Sequence, residues 1–394
     1  MSEKHFVVIG ISDSPAPFFA PEAERVIRRG TVFSGGRRHH GIVAPFLPED
    51  AVWIDVTVPL ADVFARYALF REIVVFASGD PLFYGYAGTL QREFPDARIT
   101  VFPSFSALQT LAHRRVLPYA EMVSVSLTGR PWKGLDTALL EDRPLIGVLT
   151  DGKKGPDGIA ARLLAYGYDN YRMHVGECLG NVSEKVRTLS LQEAAAMRFA
   201  APNCVILQRT EARRRFFGIP ENLFRHLDGR SNMITKMPVR LLALSMLDLP
   251  GKTVLWDIGF CTGSVSVEAR LRFPHLDIVA FERREEAAPL LDENSRRFGA
   301  PGILGVTADF MACDLSLYPA PDAVFIGGHG GRLEDMLMRV SDLLLPGGTI
   351  VFNAVSSDSC GRFAEAVGRC GRKIAAAHTV SIDSHNPITV LKAV

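Results

Sequence analysis

This sequence lacks paired cysteines, long apolar runs and the pattern of a signal peptide. The six cysteines are scattered and form no C-x-x-C pair, so we expect neither a zinc site nor a disulfide framework, no bound metal, and a reducing cytoplasmic setting. No run of about 18 apolar residues occurs, which predicts that no helix spans a membrane. The opening MSEKHFVVIGISDS has too short an apolar run for a signal peptide.

The chain also lacks a large excess of either positive or negative charge. The formal net charge is +1, which does not indicate a polyanion-binding surface over the chain as a whole. Hydrophobic residues make up 47% and charged residues 22% of the sequence, as in ordinary globular proteins. Domains usually hold about 100–200 residues, so a chain of 394 residues is expected to form two.

Short apolar runs bounded by glycine and proline recur through the first half. Helical patterns at 22–30 and 157–167 each end at a glycine. The predicted buried strands lie at 6–10, 72–81, 97–104, 122–129, 144–152 and 203–209. Strands alternating with helices predict an α/β fold with mostly parallel strands.

The segment 208–236 changes character, because it is basic, polar and without a strand pattern. We interpret 213–229 as a linker between domains at 1–212 and 230–394; the alternative is a surface excursion within one large domain. A helical pattern then follows at 239–249. Predicted strands follow at 253–259, 277–283, 302–309, 322–328 and 348–355, which is a complete doubly wound series.

The stretch WDIGFCTGSVSVEA, at 256–269, predicts a strand, a glycine turn and a helix. Glycine at 259 and 263 would let a ligand approach the backbone and the free N–H groups of the helix. Glu282 ends the next predicted strand, about 20 residues further on, where a carboxylate can accept from a ribose diol. Asp309 ends the third strand and is placed to accept from an adenine amino group; the alternative is a helix N-cap.

The cofactor predicted from these residues is S-adenosylmethionine and not a dinucleotide. A dinucleotide fingerprint has a third glycine for close helix packing, whereas Ser266 occupies that position here. The turn Pro346-Gly347-Gly348 before the strand TIVFNAV is typical of methyltransferase sheets.

A resemblance to a known family rests on ITKMPVRLLALSML, WDIGFCTGSVSVE, AFER, ADF, FIGGHGG and PGGTIVFNAV. Together these segments resemble the decarboxylating methyltransferase domain of corrin biosynthesis, over about 230–394. The resemblance implies a Rossmann-like class I methyltransferase domain. It implies cofactor contacts at Thr235, Gly259, Gly263, Glu282 and Phe310. Cys261 departs from the family's glycine loop, and its interpretation as a small packing residue is preferred to that of a reactive thiol.

In the first half, the segment ASGDPLFYG follows an apolar strand. Gly79 permits an exposed turn, Asp80 offers a carboxylate, and Pro81 is suited to the first position of a helix. Taken alone, this segment is better explained as a plain turn that Asp80 caps.

The ordered set SGDPLFYG, FPSFSALQTLAHRRVLPYAEMVSVSLTGR, ECLGNVSEKV and APNCVILQR resembles the tetrapyrrole methylases over nearly all of 5–210. The resemblance implies two α/β subdomains with S-adenosylmethionine in a cleft. It implies cofactor contacts at Ser78, Gly79, Asp80, Ser106, Ala107 and Thr128. The loop from Gly10 to Ser14 departs from the family by lacking a second glycine, which puts the substrate side of the cleft in doubt.

The segment SGGRRHH resembles the family's GG-x-RH segment. Arg37, Arg38, His39 and His40 are candidates to bind substrate carboxylates, since arginine forms bidentate contacts. The alternative is a solvated basic loop.

Both resemblances point to the fused corrin-pathway enzymes that methylate a precorrin-6Y-type tetrapyrrole or its cobalt form. They imply methylation at carbons 5 and 15, loss of the ring C acetate as carbon dioxide, two S-adenosylmethionine sites and a homo-oligomer. No membrane or nucleic-acid partner is expected. The residues assign no catalytic base; His329, Asn353 and His385 are weak candidates.

Two other functions stay open. The first half could be a non-catalytic substrate-binding module, or the second half could methylate RNA or protein.

Overall fold

The computed structural model describes residues 3–230, 232–382 and 386–394. The chain folds into two compact units. The first runs to Gly134 and includes Arg143–Arg162 and Asn170–Glu211, while the second holds Leu135–Asp142, Leu163–Asp169 and Ala212–Val394. The domain bounds expected from the sequence, 1–212 and 230–394, stay a prediction.

The first unit opens with a parallel five-stranded sheet. Its strands are β1 (His5–Ile11), β2 (Val32–Gly35), β3 (Val52–Asp55), β4 (Glu72–Ser78) and β5 (Arg98–Phe102), in the order β3-β2-β4-β1-β5. All four pairings are parallel, and β1 and β4 are buried along almost their whole length. Parallel strands covered on both faces read as continuous apolar runs, which is why both were recognisable in the sequence.

The second sheet of this unit is mixed. Its strands are β6 (Val123–Ser126), β7 (Leu145–Leu149), β8 (Tyr171–Glu177), β9 (Lys185–Leu189) and β10 (Asn203–Arg209), in the order β6-β7-β10-β8-β9. Only β6 and β7 pair in parallel; the other three pairings are antiparallel. The expectation of mostly parallel strands is therefore wrong for this sheet, because β10 returns between β7 and β8.

Eight helices connect and cover these strands in the described part of the first half of the chain. They are α1 (Pro21–Arg29), α2 (Arg37–Val43), α3 (Leu60–Ala68), α4 (Tyr86–Glu93), α5 (Ala107–Arg115), α6 (Lys133–Leu140), α7 (Pro156–Ala165) and α8 (Leu191–Ala195). Ser106 and Ser190 begin α5 and α8 through capping boxes, which satisfy backbone N–H groups at the helix start. Two α/β sheets in one unit agree with the expected tetrapyrrole methylase fold.

The second unit contains a seven-stranded sheet. Its strands are β11 (Val254–Ile258), β12 (Asp277–Glu282), β13 (Ile303–Thr307), β14 (Ala323–Ile326), β15 (Thr349–Ala354), β16 (Ile374–Val380) and β17 (Ile388–Ala393). The order is β13-β12-β11-β14-β15-β17-β16, with β17 antiparallel to both neighbours. The strand order reverses between β11 and β14, and ligands of doubly wound sheets bind at such a switch point. The class I methyltransferase domain expected from the sequence is confirmed.

Helices cover both faces of this sheet. They are α9 (Met237–Met246), α10 (Ser264–Arg272), α11 (Ala287–Phe298), α12 (Leu333–Leu343) and α13 (Ser357–Arg369). Side chains alternate along β11, so that Trp256 packs into the core on one face and Leu255 into the core on the other. Ile219 and Phe224, which belong to the predicted linker, are buried in a third cluster with Phe260 and Leu291.

Among the described residues, no helix is long and apolar enough to cross a membrane, and no group of three or more potential metal ligands occurs.

Candidate active sites

A cavity of about 410 Å³ lies at the carboxyl ends of β11, β12, β14 and β15. This volume falls within the range of small-molecule sites, about 300–1,000 Å³. Of the residues that the sequence singles out for this half, the cavity is lined by Thr235, Gly259, Glu282, Asp309, Phe310, His329 and Asn353. Gly263 does not line it, and His385 lies outside the described residues.

The two glycines of the loop after β11 have different roles. Gly259 has φ +78°, and a Cβ there would lie 2.6 Å from the backbone nitrogen of Gly328. Because Gly259 has no side chain, the loop after β14 can pack directly against it at the cavity wall. Gly263 has φ +71° and begins α10, where a Cβ would lie 2.2 Å from the Leu291 side chain. Gly263 is thus required for packing, whereas Gly259 shapes the cavity wall.

Cys261 occupies the middle of the same loop with φ +50°, a conformation that favours glycine. Its thiol lines the cavity and donates to the Met233 carbonyl at 3.1 Å. Burial, and then the nearby Glu282 carboxylate, raise the pKa of the Cys261 thiol, so the nucleophilic thiolate is disfavoured. The geometry agrees with the packing interpretation and ties the loop to the chain entering α9.

Glu282 ends β12 with its carboxylate buried at the cavity wall. Its Oε1 accepts from the backbone N–H groups of Arg283, at 3.0 Å, and Arg284, at 3.3 Å, and pairs with the Arg284 guanidinium at 3.1 Å, while its Oε2 accepts from the Cys261 N–H at 3.3 Å. Since each carboxylate oxygen has about two acceptor positions, Oε1 is filled and Oε2 has capacity for one ligand hydroxyl. Asp309 lies at the end of the next strand, and its side chain accepts from the Met311 N–H at 2.9 Å in a turn. Within this described stretch no helix begins at Asp309, so the helix N-cap interpretation is wrong.

A second carboxylate, Asp257, lies behind the glycine loop and was not anticipated from the sequence. It is fully buried in β11, and one oxygen accepts from the Ser266 hydroxyl at 2.6 Å and the Ser266 N–H at 3.2 Å. Its other oxygen has no hydrogen-bond partner among the described residues. Burial raises the pKa of Asp257 to about 7. The available signal was an aspartate within an otherwise apolar strand, WDIG.

Two of the three weak candidates for a base, His329 and Asn353, line the cavity. His329 Nδ1 accepts from the Gly331 N–H at 3.2 Å, which leaves the ring proton on Nε2. Burial, and then the Arg362 charge, lower the pKa of His329, so the ring is neutral and acts as a donor. Asn353 borders the cavity with a buried side-chain oxygen that has no partner in the described parts of the chain. Neither geometry defines a base.

A buried ion pair fixes the segment that forms one wall of this cavity. Arg240 Nε contacts Glu268 at 2.7 Å, and both side chains are almost wholly buried. Arg240 also donates to the carbonyls of Thr235, at 2.8 Å, and of Ile219, while Glu268 accepts from the N–H groups of Gly218 and Ile219. Such a pair is tolerated because hydrogen bonds satisfy both charges. Sequence reasoning missed both residues, since nothing in the sequence pairs a charge in α9 with one in α10.

A second cavity, of about 570 Å³, lies at the carboxyl ends of β1, β4 and β7 in the first unit. It brings together most of the residues singled out in this half: Arg38, His39, Ser78, Gly79, Asp80, Ser106, Ala107 and Thr128. Arg37 and His40 do not line it, and His40 stacks on Trp53 with ring centroids 4.3 Å apart.

The turn after β4 depends on two glycines. A Cβ on Gly10 would lie 2.0 Å from the Gly79 carbonyl oxygen, and Gly79 itself has φ +60°. The departure from the family pattern after Gly10 therefore leaves the close approach of the two loops intact. Asp80 accepts from the Leu82 N–H at 2.9 Å within the turn. The expectation that Pro81 begins a helix is wrong, because α4 starts only at Tyr86.

Two other expected contacts use their side chains within the fold. The Ser106 hydroxyl accepts from the Gln109 N–H at 3.3 Å as the cap of α5. The Thr128 hydroxyl donates to the Thr150 carbonyl at 3.1 Å. Both residues still border the cavity, so a ligand would meet mainly their backbone and apolar atoms.

In the basic segment at the start of α2, Arg38 already has partners within the protein. Arg38 pairs with Asp13 at 2.7 Å and donates to the Ser78 hydroxyl at 2.9 Å. Burial, and then the adjacent Arg38 charge, lower the pKa of His39 to about 4, so His39 is neutral near pH 7. An ion pair between His39 and a substrate carboxylate is therefore disfavoured, and Arg38 meets a substrate with its charge already balanced.

Both cavities suit a nucleoside-bearing cofactor, because each combines a glycine turn at a strand end with a volume of the right size. The seven-stranded sheet, with its glycine turn after β11, is the fold of a class I methyltransferase. Family models agree: residues 6–195 match "Tetrapyrrole (Corrin/Porphyrin) Methylases" and residues 223–393 match "Precorrin methyltransferase domain".

Curated relatives identify the family. The chain is 32% identical to a precorrin-6Y C(5,15)-methyltransferase [decarboxylating] of Sinorhizobium sp, over 89% of this chain and 84% of that one. Two Salmonella typhimurium proteins match shorter parts. A cobalt-precorrin-6B C(15)-methyltransferase (decarboxylating) is 39% identical over 34% of this chain and 68% of its own length. A cobalt-precorrin-7 C(5)-methyltransferase is 29% identical over 48% of this chain and 92% of its own.

The chain therefore belongs to the family of decarboxylating precorrin-6Y C(5,15)-methyltransferases, and it is an S-adenosylmethionine-dependent C-methyltransferase.

Proposed function

We propose that this chain methylates a precorrin-6Y-type tetrapyrrole, or its cobalt form, at carbons 5 and 15 and removes the ring C acetate as carbon dioxide. The first-unit cavity is assigned to carbon 5, and the second-unit cavity to carbon 15 and decarboxylation. The observation that carries the proposal is the presence of two separate cavities, each with a glycine turn at the end of a buried strand.

The division of labour follows the relatives. The two Salmonella typhimurium proteins are named for methylation at carbon 15 with decarboxylation and at carbon 5, respectively. We assign these activities to domains at 230–394 and 1–212, with 213–229 between them. Each domain would hold one S-adenosylmethionine, which supplies an electrophilic methyl group.

In the second-unit cavity, we assign Glu282 to the ribose diol and Asp309 with Phe310 to the adenine. His329 would donate its Nε2–H to a substrate acceptor, and Asn353 would offer its unpaired oxygen to a substrate N–H. Arg283 and Arg332 also line this cavity and would bind carboxylates of the substrate. The apolar wall, which includes Met311, Met336 and Val355, excludes water from the reacting carbon.

Decarboxylation makes a different demand on the same cavity. A carboxylate that is to leave as carbon dioxide is stabilised, and so slowed, by an arginine contact. We therefore place the reactive acetate towards the apolar wall and the other carboxylates towards the arginines. The electrons released by the breaking carbon–carbon bond pass into the conjugated ring, and no protein base is required for that step.

In the first-unit cavity, we assign the cofactor to the backbone around Gly79 and Ala107. The side chains of Tyr84 and Phe105 also line this cavity and are substantially exposed, as expected for groups that contact the flat face of a macrocycle. The first unit then acts by holding two reactants in line, which is the main requirement of methyl transfer.

We further propose a cytoplasmic enzyme that forms a homo-oligomer. All six cysteines are free, which supports a reducing compartment.

The test is mass spectrometry of products after incubation of the purified chain with a precorrin-6Y-type substrate, with and without cobalt, and S-adenosylmethionine. We expect a gain of two methyl groups and the loss of one carbon dioxide. A gain of one methyl with decarboxylation would show that only the second-unit site is active and that the first unit serves as a binding module. An unchanged substrate in both forms would refute the proposal.

A further inference from the structure

Arg339, in α12, holds the loop that follows β13 and forms part of the wall of the second-unit cavity. Its guanidinium donates to the carbonyl oxygens of Met311 and Cys313. Neither carbonyl has another donor among the residues that the structure describes. Because a guanidinium is a planar fork with several donors, one side chain can bind both carbonyls and fix their spacing. The loop is therefore attached to the helix at two points.

The same guanidinium also contacts Phe310. Its central carbon lies 5.9 Å from the centre of the Phe310 ring, within the range of a cation–π contact. Phe310 lines the cavity and is almost wholly buried. The rings of Phe281 and Trp256 meet it edge to face, with centroids at 5.3 and 6.0 Å. Arg339 thus holds the loop through its backbone and through its aromatic side chain.

Other hydrogen bonds of this loop are internal to it. The Asp309 side chain accepts from the Met311 N–H at 2.9 Å, and the Asp309 carbonyl accepts from the N–H groups of Ala312 and Cys313. These bonds shape a turn, whereas Arg339 ties that turn to α12. Arg339 does not line the cavity itself, so any effect it has on a ligand must pass through the loop.

We propose that Arg339 is a positioning residue for S-adenosylmethionine in the second unit, where it holds Phe310 and Met311 in contact with the adenine. The inference rests on the proposed function, which assigns Asp309 and Phe310 to the adenine. Without Arg339, the loop would have to be ordered at the moment of binding. That ordering costs free energy and lowers the affinity.

The experiment compares the full-length chain with Arg339→Met, which keeps a long side chain that favours helix and removes its donors. Two ligands are titrated separately by calorimetry: S-adenosylhomocysteine and 5′-methylthioadenosine, which has the adenine and ribose but lacks the amino-acid portion. We expect both to bind about tenfold more weakly at the second-unit site. The losses should be equal, because the two ligands share the adenine. The first-unit site is the internal control and should keep its affinity.

Arg339→Lys tests whether the fork itself is required. An ammonium is a point charge that can bind one carbonyl well but cannot reproduce the planar pair of donors. Binding of both ligands should be restored in part, to about threefold weaker than in the parent chain. The matched control is Arg369→Met. Arg369 lies on α13, pairs with Glu334 at 3.3 Å and does not line the cavity, so both ligands should bind normally.

A kinetic measurement separates positioning from a general loss of structure. In Arg339→Met, the KM for S-adenosylmethionine in the carbon-15 reaction should rise while kcat is retained, because the loop holds the adenine and not the reacting carbon. If urea unfolding shows that Arg339→Met has lost the second-unit fold, Arg339→Lys decides the question by itself.

Unchanged affinity in Arg339→Lys and Arg339→Met would overturn the positioning role. A much larger loss for S-adenosylhomocysteine than for 5′-methylthioadenosine would do the same, since the effect would then reach the amino-acid end of the site.

Asp309→Asn tests the adenine assignment on which the inference depends. If this variant weakens binding and the Arg339 variants do not, only the role of Arg339 fails. If none of them changes binding, the adenine is bound elsewhere and the assignment fails as well. Failure of the wider proposed function would show in the parent chain, as absent methylation despite intact cofactor binding.

Discussion

The two cavities of this chain share backbone features and differ in their charged groups. Each has a glycine with left-handed φ where a buried strand ends, Gly79 at +60° and Gly259 at +78°. Each also has a neutral histidine whose Nδ1 accepts a backbone N–H. In the second unit, the carboxylate of Glu282 is buried at the cavity wall and pairs with Arg284, whereas in the first unit Asp13 pairs with the more exposed Arg38.

This contrast separates what methyl transfer requires from what recognition requires. Each site has a glycine turn at a strand end and a neutral histidine, so neither is organised around a strong base. The two sites differ in their charged side chains, and under the proposed function Glu282 would bind the ribose hydroxyls of the cofactor in the second unit. Three predictions test this contrast.

The largest effect is expected for Glu282→Ala. This change should remove a charge-assisted hydrogen bond to the cofactor ribose, which contributes about 1.5–3 kcal/mol. Binding of S-adenosylhomocysteine at the second-unit site should weaken about 10- to 100-fold, while the first-unit site keeps its affinity. Calorimetric titration should show a change from two equivalents to one.

The matched control for that experiment is Glu293→Ala, which removes an exposed glutamate paired with Arg225 at 2.8 Å. Surface pairs of this kind contribute little, so two equivalents should remain. Two equivalents of unchanged affinity in Glu282→Ala would mean that the ribose is bound elsewhere.

An intermediate effect is expected from Asp257, which gives the second unit a pH dependence. Its folded-state pKa, about 7, lies above the ordinary value of 3.8. Stability is therefore fully present below the unfolded pKa and falls as the pH rises through the folded pKa. Between pH 6 and 8 the loss should be on the order of 1 kcal/mol.

Urea unfolding of the parent chain and of Asp257→Asn at pH 6 and pH 8 measures this effect. The amide cannot ionise, so the variant should lose most of the pH dependence of the second-unit transition. The same slope in both proteins would show that Asp257 does not titrate in this range.

The smallest effect is expected at Cys261, where the second unit departs from an all-glycine loop. Cys261→Gly removes the strain of a non-glycine residue with left-handed φ, which should raise the free energy of unfolding by about 1 kcal/mol. The same change removes the contact between the thiol and the Met233 carbonyl. Cys261→Ala loses the same contact and keeps the strain. The free energy of unfolding of Cys261→Gly should be close to that of the parent chain, and that of Cys261→Ala should be lower by about 1 kcal/mol.

The same two variants should bind S-adenosylhomocysteine a few-fold more weakly at the second-unit site and normally at the first. Denaturant unfolding and calorimetry together provide the measurements. A Cys261→Gly variant no more stable than Cys261→Ala would show that the left-handed conformation carries no cost.

Long apolar strands and the glycine turns that follow them were predictable from the sequence. Strands β1, β4, β11 and β12 are buried continuously, so their residues carry a strong pattern. The strands β2, β3, β8, β9, β16 and β17 were not predicted. In β16 exposed residues predominate, and polar or charged side chains interrupt the apolar runs of β8 and β9.

Most of the site residues singled out in the sequence line one of the two cavities, because motif and strand end coincide at Gly79, Gly259 and Glu282. The protonation states and ion pairs of the side chains at these sites were not predictable. Nothing in SGGRRHH indicates that His39 is neutral, since its pKa is set by burial and by Arg38 after folding. Likewise, the Asp13–Arg38 pair joins residues 25 positions apart, and such a pairing is a property of the fold.

The buried pair of Arg240 and Glu268 has a consequence for dividing the chain. Glu268 accepts from the N–H groups of Gly218 and Ile219, both upstream of the predicted domain start at 230. A fragment beginning at 230 would lack these donors, and its two interior charges would recruit water in their place. A fragment beginning before 213 would keep them, so the second half carries its own N-terminal arm as part of its interior.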